Sequence, residues 1–342
     1  MLETRRVLKA LTESRVALAK LDQAADLMAD PTVLINTIPL LEAQASSAIE
    51  NIVTTADALF RYAQMDDEPS DPAVKETLRY RAALRSGFEN MNRRALTAGT
   101  AVEVCSEVQG RQMDIRTLRG TRIANPATGR IIYSPPEGAD VIRGKLSNWE
   151  SFTHASDDLD PIVRMAVAHY QFEAIHPFSD GNGRTGRILN ILTLIEAGTL
   201  RQPILYLSRY IIRHKNEYYR LLNAVTAERA WEEWILYMTE AVRQSATWTT
   251  AKIRAIQDLR QEFAVTTHGV TPGLTNAHFL SVLFAQPYCR IGNVMDRCEV
   301  SRPTATSWLN ALVAAGALVD MKVGRDRLFL NRPFLELLAD YD

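Results

Sequence analysis

His-Pro-Phe-Ser-Asp-Gly-Asn-Gly-Arg-Thr-Gly-Arg, residues 176–187, is the stretch on which the fold of this chain depends, and we call it the signature segment. An apolar pattern with helical spacing follows it over residues 188–195, and Gly198 is placed to end that helix. The loop therefore enters the N-terminus of a buried helix, where backbone N–H groups and the helix dipole favour an anion. Gly181 and Gly183 lack a Cβ, so the backbone can approach a phosphate closely. The segment predicts a phosphate-binding loop.

The side chains of the signature segment extend this prediction. Arg184 and Arg187 are three residues apart on the new helix, so they share a face and can clamp a polyphosphate. Asn182 can donate to a phosphate oxygen, and Asp180 is an oxygen ligand of the kind that Mg²⁺ prefers. His176 has an ordinary pKa near neutrality and suits a general base. Each residue alone has an ordinary structural interpretation, but together at this spacing they predict a catalytic nucleotide site.

The segment resembles the signature of the Fic family, His-x-Phe-x-Asp/Glu-Gly-Asn-Gly-Arg-x-x-Arg, and it fills every specified position. Fic proteins typically transfer AMP from ATP to a hydroxyl group of a target protein. The resemblance therefore implies a protein adenylyltransferase that acts on Ser, Thr or Tyr, with His176 as the base and Asp180 as the ligand of Mg²⁺. It also implies a set of nucleotide-binding residues: Gly181, Asn182, Gly183, Arg184, Thr185, Gly186, Arg187, Tyr218 and Tyr219. For the tyrosine pair, packing between helices explains the sequence equally well.

A second segment, residues 38–53, has a helical pattern that contains Ser46, Glu50 and Asn51. Its composition alone fits an ordinary amphipathic helix with a solvated acid. Many Fic proteins, however, have an inhibitory helix with the pattern Ser/Thr-x-x-x-Glu-Gly/Asn, which residues 46–51 match. The position before the signature segment resembles the class that is inhibited by its own N-terminal part. The resemblance then implies that Glu50 pairs with Arg187 and keeps ATP from its productive pose. Relatives with this Glu can also remove AMP, so de-AMPylation stays open.

Residues 116–136 contain several helix breakers, and residues 130–133 have a strand pattern. We expect a hairpin whose turn is Asn-Pro-Ala-Thr-Gly, residues 125–129. The resemblance implies that this hairpin is a flap that binds the target segment by strand addition. The residues of the flap that would contact the target are Ile131, Ile132 and Tyr133.

The C-terminal segment, residues 268–342, has a different pattern. Helices are predicted over 277–283, 291–298 and 303–315, followed by a hairpin about Gly324, an order that resembles a winged helix-turn-helix. Residues 287–332 carry seven basic and four acidic residues, whereas residues 333–342 carry three acidic ones. The basic excess is local and modest, so DNA is a candidate partner, with a protein contact or a homodimer as the alternative.

The chain has 342 residues, enough for two or three domains. We predict a mainly α protein with a helical core of the Fic fold, a β-hairpin flap and a small C-terminal winged-helix domain. The predicted divisions are residues 1–98 for the N-terminal helical region with the inhibitory helix, 99–250 for the catalytic core and 268–342 for the winged helix-turn-helix-like domain.

Composition limits the class of protein further. Hydrophobic residues make up 46% and charged residues 23% of the chain, without an apolar run of membrane-spanning length or a signal-peptide pattern. Three cysteines without metal-type spacing fit a reducing compartment, so we expect a cytoplasmic protein without a membrane partner. The net charge of −1 argues against bulk nucleic-acid binding.

Two alternatives to AMP transfer stay open at this point. The chain could be a DNA-binding regulator whose Fic core only senses a nucleotide, but a sensor does not need His176. It could also transfer another phosphate-containing group, although the complete Gly-Asn-Gly-Arg-x-x-Arg pattern favours the ordinary orientation of ATP. The target protein, which can include the chain itself, is not identified by the sequence.

Overall fold

The computed structural model describes residues 2–28, 30–65, 68–91, 93–118, 120–124, 131–276, 278–323 and 326–340, and it is mainly helical. The helices are α1 (Arg5–Asp26), α2 (Thr32–Ile49), α3 (Ala56–Tyr62), α4 (Pro72–Met91), α5 (Ala98–Gln109), α6 (Ala139–Thr153), α7 (Pro161–Ile175), α8 (Asn182–Glu196), α9 (Leu207–Arg213), α10 (Lys215–Glu228), α11 (Trp231–Thr266), α12 (Phe279–Ala285), α13 (Ile291–Cys298), α14 (Arg302–Ala314) and α15 (Arg332–Ala339). The strands are β1 (Ile123–Ala124), β2 (Ile131–Tyr133), β3 (Tyr288–Arg290), β4 (Val319–Val323) and β5 (Asp326–Leu330).

Helix α8, which begins inside the signature segment, lies at the centre of the molecule. Nearly all its side chains are buried, and it packs against α4, α5 and α7. Helices α7 and α8 therefore enclose the loop between them on a rigid base, which is the arrangement that the sequence predicts. Gly198 adopts φ +70° just after α8 and ends it, as expected.

Helix α2 differs from its prediction over residues 38–53. It begins earlier, at Thr32, and it ends at Ile49, so that Glu50 is the cap and Asn51 has φ +63°. Asparagine tolerates this left-handed conformation better than most residues, which explains why the chain can turn directly after Glu50. Glu50 therefore lies at the tip of the helix and not on its side.

Sequence patterns did not indicate the helices α3, α5, α9 and α15 or the strand β3. These elements are only 3 to 12 residues long. Short elements depend on caps and tertiary packing more than on periodicity. An example is α5, where Thr97 and Thr100 form reciprocal capping hydrogen bonds.

The C-terminal segment has the element order of a winged helix-turn-helix. Helices α13 and α14 pack against each other, and an antiparallel sheet in the order β3–β5–β4 adds the hairpin. Residues 324 and 325, at the predicted hairpin turn, lie outside the described residues. Two of the basic residues counted above are paired, Arg290 with Asp326 and Arg327 with Asp320.

The C-terminal segment packs against the rest of the chain. Helix α11 has 36 residues and continues through residue 250, where we placed the end of the core. The ring of Phe284 lies 5.5 Å from Phe263 of α11, and the Tyr288 hydroxyl donates to Asp57 of α3. One apolar core joins both ends of the chain.

None of the helices in the described part of the chain combines the length and the apolarity needed to cross a bilayer.

Candidate active site

His176 lies at the C-terminal end of α7. Its backbone adopts φ +50° and ψ +61°, and its N–H donates to the carbonyl of Phe172 at 3.0 Å. Because Pro177 follows, His176 is disfavoured in the helical region, and α7 ends there. The histidine is therefore held at the junction between a buried helix and the glycine-rich loop.

Arg116 fixes this junction, and sequence analysis did not single it out. Its Nε donates to the carbonyl of His176 at 2.7 Å, and its Nη2 donates to the carbonyl of Pro136 at 2.7 Å. Its backbone N–H donates to Pro177 O at 2.9 Å. Arg116 is buried. It thus joins the end of α7 to the segment that follows the hairpin β1–β2.

Burial and the charge of Arg116 lower the pKa of His176 to about 4. The imidazole is then neutral throughout the physiological range and can accept a proton. The lowered pKa also makes this imidazole a weaker base than an ordinary histidine, whose pKa near neutrality the sequence argument assumed. The role of His176 as the general base stays a prediction.

Asn182 closes the loop on itself. Its Oδ1 accepts from the backbone N–H of Phe178 at 2.8 Å, and its Nδ2 donates to the Phe178 carbonyl at 2.8 Å. Gly181 has φ +82°, and a Cβ there would meet Gln109 Nε2 at 2.7 Å. The loop is therefore compact, and the amide of Asn182 has a second N–H that the bond to Phe178 does not use.

Glu50 occupies the N-terminus of α8. A Cβ on Gly183 would collide with Glu50 Oε1, so the carboxylate lies directly over the glycine. Arg187 Nη2 donates to the same oxygen at 2.9 Å, and Arg187 Nε donates to Ser46 Oγ at 2.7 Å. Burial opposes the charge on Glu50, but Arg187 lowers the pKa of its carboxyl overall. An anion thus lies where the loop geometry predicts phosphate, and Ser46, Glu50 and Arg187 are brought together.

Asn51 follows Glu50 directly in the chain, and its side chain is hydrogen-bonded to α10. Its Oδ1 accepts from Lys215 Nζ at 3.2 Å, which connects the end of α2 to α10. Its left-handed backbone allows the turn described above.

Arg184 is paired with Glu76 of α4, another residue that the sequence did not single out. Its Nη2 lies 3.9 Å from Asp180 Oδ1. The Asp180 side chain is 65% exposed and can reach a ligand. No cluster of three or more His, Cys, Asp or Glu side chains among the described residues could hold a metal alone. A single carboxylate with open surroundings nevertheless fits Mg²⁺, which takes one or two carboxylates together with phosphates and water.

Two residues of the predicted nucleotide set face the interior. A Cβ on Gly186 would collide with Glu173 Oε1 and meet Phe172 at 3.2 Å, so this glycine allows α7 and α8 to approach. Thr185 is fully buried, and its N–H donates to the Gly181 carbonyl at 3.0 Å. Both residues support the loop from within.

The two tyrosines of the predicted nucleotide set, Tyr218 and Tyr219, differ in their exposure to solvent. Tyr218 is 1% exposed, and its hydroxyl is hydrogen-bonded to His169 Nε2 at 2.7 Å. It packs α10 against α7, which is the packing alternative that the sequence left open for the tyrosine pair. A contact of Tyr218 with the nucleotide stays a prediction. Tyr219 is 43% exposed and can contact a ligand.

The strands β1 and β2 form the expected antiparallel hairpin, with Ile123 opposite Tyr133. Tyr133 donates to the Ala174 carbonyl at 2.8 Å and so ties the hairpin to α7. Ile131 and Ile132 are about half exposed. The predicted turn, residues 125–129, lies outside the described residues.

Glu42 is a fully buried acid behind Arg187, on α2. It accepts hydrogen bonds from the Ser208 N–H at 2.8 Å and from the Tyr80 hydroxyl at 3.1 Å. Burial nevertheless raises the pKa of its carboxyl to about 7. The folded state thus keeps a proton that the unfolded state loses near the ordinary glutamate pKa of 4.5.

This proton makes stability depend on pH. Protonated Glu42 contributes fully to the free energy of unfolding below its unfolded pKa. As pH rises through the folded pKa, this contribution is lost, and the free energy of unfolding falls by up to roughly 3 kcal/mol. We therefore expect Glu42→Gln to lose less stability between pH 5 and pH 8 than the unmutated protein. Urea unfolding at both values measures this, with Glu233→Gln at an exposed site as the control. Parallel pH dependence in all three proteins would contradict the prediction.

Comparisons with known proteins agree with this geometry. The Fic/DOC family N-terminal model matches residues 8–89, the Fic/DOC family model matches residues 93–194, and the model of the protein adenylyltransferase SoFic-like C-terminal domain matches residues 259–334. The three matches follow one another along the chain, and the signature segment lies within the second of them. The chain belongs to the Fic/DOC family.

Individual relatives match over shorter ranges. Protein adenylyltransferase Fic from Culex quinquefasciatus is 30% identical over 122 residues, which are 34% of this chain and 23% of the relative. Protein adenylyltransferase fic-1 from Caenorhabditis elegans is 52% identical over 40 residues, 12% of this chain and 8% of the relative. The chain thus spans about a quarter or less of the length of these curated relatives.

Solved structures confirm the fold. A Fic family protein from Desulfovibrio desulfuricans superposes with a TM-score of 0.56 at 19% identity, covering 96% of both chains. A fragment of Fic-1 from C. elegans gives a TM-score of 0.55 at 20% identity, covering 73% of this chain and 74% of the fragment.

Proposed function

We propose that this chain is a protein adenylyltransferase that transfers AMP from ATP to a side-chain hydroxyl of a target protein, and that Glu50 inhibits it. The observation that carries the proposal is the position of the Glu50 carboxylate over Gly183 and against Arg187. A site built for anions is here filled by the chain's own acid. The names of the relatives reported above support the same class of reaction.

His176 begins the reaction by accepting the proton of the target hydroxyl. The hydroxyl oxygen then bonds to the α-phosphorus of ATP, the bond between the α- and β-phosphates breaks, and pyrophosphate leaves. The pKa of about 4 keeps the imidazole unprotonated at neutral pH, so that it accepts the proton as a weaker base than an ordinary histidine. Mg²⁺, held by Asp180 and the phosphates, would neutralise charge on the leaving group.

The N-terminus of α8 holds the phosphates in this proposal. The backbone at Gly181 and Gly183 and the second N–H of the Asn182 amide bind the α-phosphate, while Arg184 and Arg187 bind the β- and γ-phosphates. With Glu50 in place, Arg187 is paired with its carboxylate, and the triphosphate cannot reach its productive pose. The same geometry is compatible with removal of AMP from a modified target.

The partners are a nucleotide and a target protein, which can be a second molecule of the same chain. The exposed strand residues Ile131 and Ile132 support docking of the target by strand addition. All three cysteines are free and buried, which is compatible with a reducing, cytoplasmic location. For the C-terminal segment, a salt-dependent gel shift with duplex DNA would distinguish DNA binding from a protein contact.

The proposed function is tested with labelled ATP. The protein is incubated with Mg²⁺ and either α-labelled or γ-labelled ATP, alone and with lysate. Label retained on protein only from the α position supports AMP transfer. Label retained from the γ position would indicate phosphate transfer, and no label from either nucleotide, even with Glu50→Gly, would contradict the proposal.

A further inference from the structure

Both arginines of the signature segment are paired with a carboxylate from the N-terminal helices. Glu50 pairs with Arg187, and Glu76 in the first half of α4 pairs with Arg184. The two pairs are alike in burial, because the arginine side chains are 1% and 3% exposed and the carboxylate side chains 35% and 31%. The family resemblance accounts only for the first pair, since Glu76 belongs to no motif.

We propose that Glu76 competes with phosphate groups for Arg184 and thereby sets the affinity of the site for polyphosphate nucleotides. This inference rests on the proposed function only in taking Arg184 as a ligand of phosphate. It concerns binding, and it can therefore be tested without any transfer reaction.

The contact with Glu76 occupies only part of the hydrogen-bond donors of the Arg184 guanidinium. Glu76 Oε1 accepts from Nη1, whereas Asp180 Oδ1, at 3.9 Å from Nη2, is beyond hydrogen-bond distance. Nε is buried and has no hydrogen-bond partner among the described residues. Arginine presents five N–H donors in a planar fork that matches phosphate. A phosphate that engages this fork at two donors is therefore expected to draw Arg184 away from its single contact with Glu76.

The negative charge of Glu76 also weakens the binding of a triphosphate. A carboxylate beside a bound triphosphate repels it, and Asp180 already places one negative charge near Arg184. Glu76→Gln removes a charge but keeps an amide oxygen that can accept from Arg184. The buried guanidinium then retains a partner while the competition weakens.

Calorimetric titration with ATP, inorganic tripolyphosphate and AMP, each with Mg²⁺, tests this inference. In Glu76→Gln we expect the Kd of ATP and of tripolyphosphate to fall about tenfold, the scale of one charge-assisted hydrogen bond. The Kd of AMP should change less than twofold, because AMP lacks the β- and γ-phosphates. Glu89→Gln is the matched control, since Glu89 lies on the same helix in an exposed pair with Arg85. It should leave all three affinities unchanged.

Unchanged or weaker ATP binding in folded Glu76→Gln would overturn the inference, and weaker binding would show that Glu76 supports Arg184. Glu76→Asp provides a second variant, because the shorter side chain keeps the charge but loosens the contact. There we expect a gain of about threefold, and no gain would count against competition even if the glutamine variant does not fold.

The outcomes also separate this inference from the proposed function. Loss of ATP affinity in Arg184→Ala, with no change in Glu76→Gln, would remove only the role of Glu76. Failure of every variant to bind ATP, also when Glu50→Gly is added to remove the inhibitory carboxylate, would overturn both.

Discussion

Glu50→Gly should make the protein label itself faster with α-labelled ATP. The carboxylate lies over Gly183 and holds Arg187, so its removal frees both the helix N-terminus and the arginine. A charge-assisted contact of this kind is worth about 1.5–3 kcal/mol, which corresponds to a gain of roughly ten- to a hundred-fold. A gain of activity is unusual here, because deletion of one partner of a buried ion pair normally lowers the stability of a protein.

The double variant Glu50→Gly with Arg187→Ala should lose this gain, because the benefit acts through the arginine. Glu228→Gly is a suitable control. Glu228 also ends a helix just before a left-handed residue, Arg229, but it is exposed, and the hydrogen bonds of Arg187 in the described part of the chain go to Ser46 and Glu50. Equal labelling by Glu50→Gly and the unmutated protein, both folded, would show that Glu50 does not inhibit.

His176→Ala should abolish most transfer while ATP binding stays nearly intact. Loss of a general base is expected to cost roughly a hundred- to ten-thousand-fold in rate. The measurement is best made in the Glu50→Gly background, with calorimetry for ATP binding and His268→Ala, at an exposed site, as the control. A rate within a few-fold of the parent variant would refute the assignment of His176 as the base.

The pKa of His176 gives this assignment a second test. Because the pKa is lowered to about 4, the neutral, proton-accepting form predominates at every pH above that value. The transfer rate should therefore stay level between pH 8 and about pH 5.5. A decline of the rate centred near the ordinary histidine pKa of about 6.5 would show that the pKa of His176 is not lowered in the working enzyme.

The sequence predicts the centre of this molecule well because the relevant residues are close together in the chain. The signature segment contains its own loop, helix start and charged groups, so spacing alone places His176 and the two arginines. The pairing of Glu50 with Arg187 follows from a family pattern and not from physics that could be applied to residues 46–51 in isolation.

What the sequence misses depends on contacts between distant residues. Arg116 is a single arginine without a motif, yet its side chain donates to a carbonyl 60 positions away. Glu76 is one of several acids on an ordinary helix, and its partner is 108 positions away. For Tyr218 the family resemblance implies a contact with the nucleotide, whereas only the structure shows that its hydroxyl is hydrogen-bonded to His169 between α10 and α7. Short elements such as α9 and β3 were missed because packing, not periodicity, stabilises them.

The length of α11 has a consequence for how this chain can be divided. At about 1.5 Å per residue, a helix of 36 residues is roughly 54 Å long. A chain cut at residue 250 would end in the middle of this helix. The cut would remove Ile253, Ile256 and Phe263, three buried side chains that line the shared core, and leave their partners in contact with water. Such a fragment should be prone to aggregation, and heating the intact protein should melt both ends in one calorimetric transition.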